Sequence, residues 1–145
     1  MIRIIAVDDH EIFRRGVNKI IRASGRVTLI GEAGSIEETL KLLALEIPDV
    51  LVLDINLPGY DDLNGMKVVH QIHPNLPILI LSMCPEDRFG PSALKAGAAG
   101  YITKSMAAEQ LVDAIIQVAS GNMYISPILE NILAKQNALE FGSSN

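Results

Sequence analysis

Five reactive side chains each close a short apolar run: Asp8 and Asp9 after Ile2 to Val7, Asp54 after Val50 to Leu53, Ser82 after Ile78 to Leu81, Lys104 after Gly100 to Ile102 and Thr103. If those runs are parallel strands of an open sheet, their carboxyl ends line one crevice, where residues distant in sequence become neighbours. Three carboxylates gathered there repel and raise one another's pKa unless a cation neutralises them. All-oxygen donors suit Mg²⁺, which is octahedral at about 2.0–2.1 Å and keeps several waters. A lysine and a hydroxyl facing such a cluster are the equipment of phosphoryl transfer, since metal and ammonium neutralise the equatorial oxygens while a nucleophile is held in line. Asp54 stands alone at the end of the most apolar run, which makes it the natural nucleophile, with an acyl phosphate as product.

Taken singly, the same residues have plainer readings. Asp8-Asp9 before a helix could be an N-cap and dipole partner, and Asp54 a turn residue ahead of Asn56 and Pro58. Ser82 alone means little, and an isolated Lys104 is an ordinary solvated charge. Their joint occurrence, each at the same end of a different run, argues for a site.

The elements that position them follow from periodicity. β-Branched runs alternate with helical segments: Ile2 to Val7 then Ile12 to Ala23, Val27 to Gly31 then Ile36 to Leu45, Val50 to Leu53 then Met66 to Ile72. Ile78 to Leu81 then Ala93 to Ala96, and Gly100 to Ile102 then Leu111 to Ala119, continue the pattern. Five βα units predict a doubly wound α/β sandwich with a parallel sheet and helices on both faces. Ser35 with Glu38 predicts a capping box, and Asn64 a cap for the Met66 helix. Beyond Gly121, Ser126-Pro127 predicts a further helix start, with Ile128, Ile132, Leu133 and Gln136 on one face.

Composition agrees. In 145 residues, 49% are hydrophobic and 20% charged, which excludes a disordered or fibrous chain, and with 4% aromatics the core must be aliphatic. Seventeen acids against twelve Lys and Arg give a net charge of −5, the wrong sign for a nucleic-acid footprint. A single cysteine, Cys84, and the lack of a secretory pattern or a membrane-length apolar run predict a cytoplasmic chain with no membrane partner.

Asp8-Asp9-His10, Leu53-Asp54-Ile55-Asn56-Leu57-Pro58-Gly59, Leu81-Ser82-Met83 and Lys95-Ala96-Gly97-Ala98-Ala99-Gly100-Tyr101-Ile102-Thr103-Lys104 resemble the receiver domain of bacterial response regulators, NarL/FixJ/LuxR subgroup, over about residues 1–125. The resemblance implies the flavodoxin-like strand order 2-1-3-4-5, a receiver over 1–124, and a linker helix and tail over 125–145. It implies that Asp54 is phosphorylated by a sensor histidine kinase, and that Asp9, the Asp54 carboxylate and the Asn56 carbonyl hold Mg²⁺, with Asp8 acting through water. Ser82 and Lys104 would bind phosphoryl oxygens, and Tyr101 would change rotamer as Ser82 moves, whereas spacing alone reads Tyr101 as a half-buried strand aromatic. A homodimer is implied as output, and DNA only through a C-terminal helix-turn-helix domain that nothing after Tyr124 is long or basic enough to supply. On that reading the chain is either a cut receiver, as the linker-like stretch from Ile128 to Leu139 suggests, or a lone one; it is no enzyme beyond its own phosphotransfer and dephosphorylation.

Departures from the subgroup are specific. Gly59-Tyr60-Asp61-Asp62-Leu63-Asn64 is about three residues longer than usual, and Asp61 and Asp62 there serve either a turn or a charged docking surface. Cys84-Pro85 replaces His-Asp, whereas Ser105, in place of the proline common after the lysine in other receivers, fits the subgroup; no histidine has metal-ligand partners at a sensible spacing. Two rivals stand beside the receiver reading. A haloacid-dehalogenase-like phosphatase wants an Asp-x-Asp pair near the first strand, whereas Asp54-Ile55-Asn56 lies on the third; a decayed binding module would not need the intact acids and Lys104.

Overall fold

A computed structural model describes residues 1–143, with side chains to residue 137. Strands β1 (Ile2–Val7), β2 (Val27–Ala33), β3 (Val50–Leu53), β4 (Ile78–Ser82) and β5 (Gly100–Thr103) alternate with helices α1 (Glu11–Ser24), α2 (Ile36–Leu45), α3 (Asn64–Ile72), α4 (Glu86–Lys95) and α5 (Ala107–Ala119). A 3₁₀ turn, Lys104–Met106, joins β5 to α5, and α6 (Pro127–Ser143) follows. The sheet is parallel throughout, in the order β2-β1-β3-β4-β5.

Apolar side chains alternate between two cores, which is why the central strands read as unbroken hydrophobic runs. Leu51, Leu53, Ile78 and Ile80 pack under α2, α3 and α4 with Ile36, Met66 and Val69. Val50, Val52, Leu79 and Leu81 pack on the other face with Val17, Ile21, Leu111 and Ile115 of α1 and α5. The register then fixes the strand ends. Val7 lies opposite Leu53, so Asp8 and Asp54 emerge side by side, and Ser82 lies opposite Thr103, one residue before Lys104.

Helix starts differ in part from expectation. Ser35 caps α2, accepting from the Glu38 N–H at 3.1 Å while Glu38 accepts from the Gly34 N–H at 2.9 Å. Asn64, by contrast, is already inside α3, and the residue before it makes no side-chain cap. The α4 helix begins at Glu86 rather than near Ala93, because Gly90 and Pro91, which hid it in the sequence, sit inside it. In α6 the inward side chain is the fully buried Leu129, with Leu133 beside it, while Ile128 is 68% exposed. Within the linker helix and tail expected over 125–145, the helix reaches Ser143, and residues 144 and 145 lie outside the described residues.

The turn from α4 into β5 depends on one glycine. Gly97 has φ +110°, and a Cβ there would meet His70 Nε2 at 2.5 Å. Gly97→Ala is expected to cost about 2 kcal/mol or more by backbone strain and overlap. Urea unfolding checks this, and His70→Ala in the same chain should restore only the part due to overlap.

Candidate functional site

Two strand termini create the site before any side chain is considered. The Asp54 N–H donates to Val7 C=O at 2.9 Å and the Asp8 N–H to Ala33 C=O at 3.0 Å, so both acids leave the sheet as the last rungs of its ladders. Both are buried, at 3% and 4% exposure. Asp8 Oδ1 accepts from the His10 N–H at 2.8 Å, and Asp54 Oδ1 accepts from the Asn56 N–H at 3.1 Å, which fixes one oxygen of each carboxylate on a turn. His10 occupies the N-cap position of α1 with no side-chain cap, so the capping reading of Asp8-Asp9 does not account for the pair.

Lys104 binds the other oxygens. Its Nζ lies 2.6 Å from Asp8 Oδ2 and 3.1 Å from Asp54 Oδ2, with the lysine side chain only 6% exposed. Burial chiefly lifts the Asp54 carboxyl above its ordinary range, against the Asn56 N–H and the ammonium, which pull it down. Burial opposes the charge on Lys104 as well, but the hydrogen bonds and charges of Asp8 and Asp54 outweigh it and hold the ammonium above its usual range. The solvated-charge reading of Lys104 is thus excluded.

The remaining predicted residues fall around this triad. Asp9 is exposed at the rim, and ligand atoms of Asp8, Asp9, His10 and Asp54 lie within 4.8 Å of one another. Oxygen donors at that spacing suit a hard divalent cation such as Mg²⁺. The imidazole was not foreseen: His10 Nδ1 sits 3.2 Å from Asp8 Oδ1 and 3.1 Å from Asp9 Oδ1. Ser82 is fully buried at the end of β4, its hydroxyl accepting from the Cys84 N–H at 3.0 Å. Tyr101 is buried rather than half-buried; its hydroxyl donates to Cys84 C=O at 2.8 Å, and burial pushes the phenol up. In the lengthened loop, Asp61 C=O accepts from the Asn64 N–H at 3.0 Å and Asp62 takes φ 48°, the geometry of the turn reading.

Two residues of α1 were missed. The Phe13 ring lies under Lys104 Nζ at 4.4 Å from its centroid, and the Arg14 guanidinium donates to Asp8 C=O. Phe13 adds a cation–π contact that steadies the ammonium. Only its rarity, one of three Phe in the chain, could have marked it.

Residues 4–116 match the response regulator receiver domain. The chain belongs to that family. The receiver is 35% identical over 134 residues to the response regulator GacA of Pseudomonas aeruginosa, covering 92% of this chain and 63% of that protein. It is 34% identical over 131 residues to the nitrate/nitrite response regulator NarL of Escherichia coli, covering 90% of this chain and 61% of that protein. The chain thus spans a little over three-fifths of these relatives' length. A crystal structure of a LuxR-family two-component response regulator from Aurantimonas superposes with a TM-score of 0.85 at 32% identity, over 95% of this chain and 99% of that one. Family and strand order together displace the phosphatase reading.

A raised carboxyl pKa has a sign in stability. From the ordinary value of 3.8 up to the folded value of Asp54, the native state holds more protons than the unfolded chain, so stability falls as pH rises through that window. Above it, the ionised Asp54 is a net cost. Asp54→Asn is therefore expected to melt higher than wild type at neutral pH, with the gap closing below the ordinary carboxylate range; thermal melts at both pH values check this.

Proposed function

We propose that this receiver takes a phosphoryl group onto Asp54 from the phosphohistidine of a sensor histidine kinase. One observation carries the reading: a single buried ammonium bridges two strand-end carboxylates, so a dianionic group entering here meets positive charge already in place. An Asp54 carboxylate oxygen attacks phosphorus as the donor's P–N bond breaks, and the imidazole leaves with the electron pair. Lys104 moves from carboxylate to phosphoryl oxygen, while the Asn56 N–H keeps the second carboxylate oxygen in position. Asp9, the Asp54 carboxylate and the Asn56 carbonyl would hold Mg²⁺, with Asp8 beside them, and the bound ion would supply charge neutralisation at the phosphoryl oxygens.

Readout falls to Ser82 and Tyr101. A phosphoryl group of about −1.5 to −2 charge draws the Ser82 hydroxyl, now tied to Cys84, and thereby alters the loop that holds the Tyr101 hydroxyl. The chain returns to rest by hydrolysis of its own acyl phosphate. Residues 1–124 act as the receiver and 125–145 as the linker to an output domain. In the full-length protein the output is transcriptional control in the cytoplasm, with a homodimer and a C-terminal helix-turn-helix domain reaching DNA, in line with NarL-type relatives longer than this chain.

Acetyl phosphate with Mg²⁺ is expected to add one phosphoryl group to the wild type and none to Asp54→Asn, as read by intact mass. Equal labelling of the two would overturn the assignment. Lys104→Ala should slow labelling by about tenfold or more, while Ser82→Ala should keep the label but weaken the change in the Tyr101 environment seen by NMR.

A further inference from the structure

The chain turns back as it leaves β1, and the turn brings an imidazole to the acids. The His10 N–H donates to Asp8 Oδ1 at 2.8 Å, so the ring that follows is held beside the carboxylates rather than carried away along α1. His10 Nδ1 lies 3.2 Å from Asp8 Oδ1 and 3.1 Å from Asp9 Oδ1. Lys104 Nζ takes the other side of Asp8, 2.6 Å from Oδ2, which leaves Oδ1 as the oxygen that faces the rim. Asp54, only 3% exposed, supplies a fourth donor. One ligand atom from each of Asp8, Asp9, His10 and Asp54 lies within 4.8 Å of all the others, and His10 is the only histidine in such a cluster among the described residues.

Those separations are close to the ones a single ion imposes. Around an octahedral cation with bonds of about 2.1 Å, neighbouring donors are about 3.0 Å apart and opposite donors about 4.2 Å. The chain thus holds three carboxylate oxygens and one imidazole nitrogen near ligand spacing. Donor chemistry then divides the ions. Carboxylate oxygens serve Mg²⁺, whereas an imidazole nitrogen favours the late first-row ions, whose affinity for such donors rises from Co²⁺ to Ni²⁺ along the Irving–Williams order. The His10 side chain is 71% exposed, so its ring can turn onto an ion without disturbing either core.

We propose that His10 Nδ1 is a metal ligand, and that it joins the oxygens of Asp8, Asp9 and Asp54 in a mixed nitrogen–oxygen site that prefers a late first-row divalent ion, such as Co²⁺ or Ni²⁺, to Mg²⁺. The inference rests on the reading of the acid cluster as a cation site. Both kinds of ion need the same carboxylates, so they exclude each other, and the nitrogen alone tells them apart. On loading, Nδ1 exchanges its contacts with Asp8 and Asp9 for the ion, and its proton leaves to solvent. No spacing along the sequence marks this histidine, because the turn makes three consecutive residues converge.

Calorimetric titration of the whole chain with Co²⁺ and, separately, with Mg²⁺ tests this. The wild type should bind one Co²⁺ about tenfold or more tighter than Mg²⁺, with the two competing for one site, and His10→Ala should lose about tenfold or more in Co²⁺ affinity while its Mg²⁺ affinity changes by less than about twofold. In NMR spectra of the Co²⁺-loaded chain, a paramagnetically shifted imidazole signal should be present in the wild type and absent from His10→Ala. His10→Asn repeats the comparison should alanine disturb the start of α1. Equal losses for both ions would mean that His10 only positions the acids, and an unchanged Co²⁺ affinity that it takes no part; either result overturns the ligand. If Mg²⁺ binds but Co²⁺ binds no tighter, or without competition, the nitrogen site falls and the Mg²⁺ reading stands. If neither ion binds the wild type, the cation site itself falls, and the histidine ligand with it.

Discussion

Placing one ammonium between two buried carboxylates is the constraint on which this structure turns. Removing three charges from water is costly, and each is tolerable only because the other two are in reach. Lys104 lies on the far side of the sheet order from Asp8, with β3 and β4 between their strands. The triad therefore closes only if the parallel register of those strands is kept. Charge and topology enforce each other: a one-residue slip in β3 would turn Asp54 into a core and a leucine into the site.

The same arrangement explains why the site is poised rather than relaxed. Burial raises the Asp54 carboxyl, so the ionised form is held at a free-energy cost that the ammonium only partly offsets. A carboxylate ionised at that cost gains more from added positive charge than a solvated one would. Phe13 contributes by giving the ammonium a second attractive surface, so that Lys104 remains over the crevice as its carboxylate contacts change.

Strand composition made most of this legible. Runs such as Val50 to Leu53 and Ile78 to Leu81 carry apolar residues for both faces, so their type, their burial and the reactive residue at each end could be read directly. The strand order came from resemblance, because periodicity says which segments are strands and not which pair. The α4 helix was largely hidden, since Gly90 and Pro91 look like breakers until Leu129 is seen to need the missing Cβ. His10, Phe13 and Arg14 escaped for a similar reason: their roles depend on how the first turn of α1 folds over the strand ends, a tertiary fact with no periodic signature.

What hid α4 also explains its use. A helix with a glycine at its buried contact and a proline one residue on is a poor helix by intrinsic propensity, at a cost of roughly 1 kcal/mol for the glycine alone. Its stability must come from what packs on it, and here that is the core on one side and Leu129 on the other. An element held by its partners rather than by its own sequence responds when a partner moves. Cys84 and Pro85, between Ser82 and Glu86, place that element within a few residues of the hydroxyl that closes β4 and accepts from the Cys84 N–H, so the end of β4 and the start of α4 share one short loop.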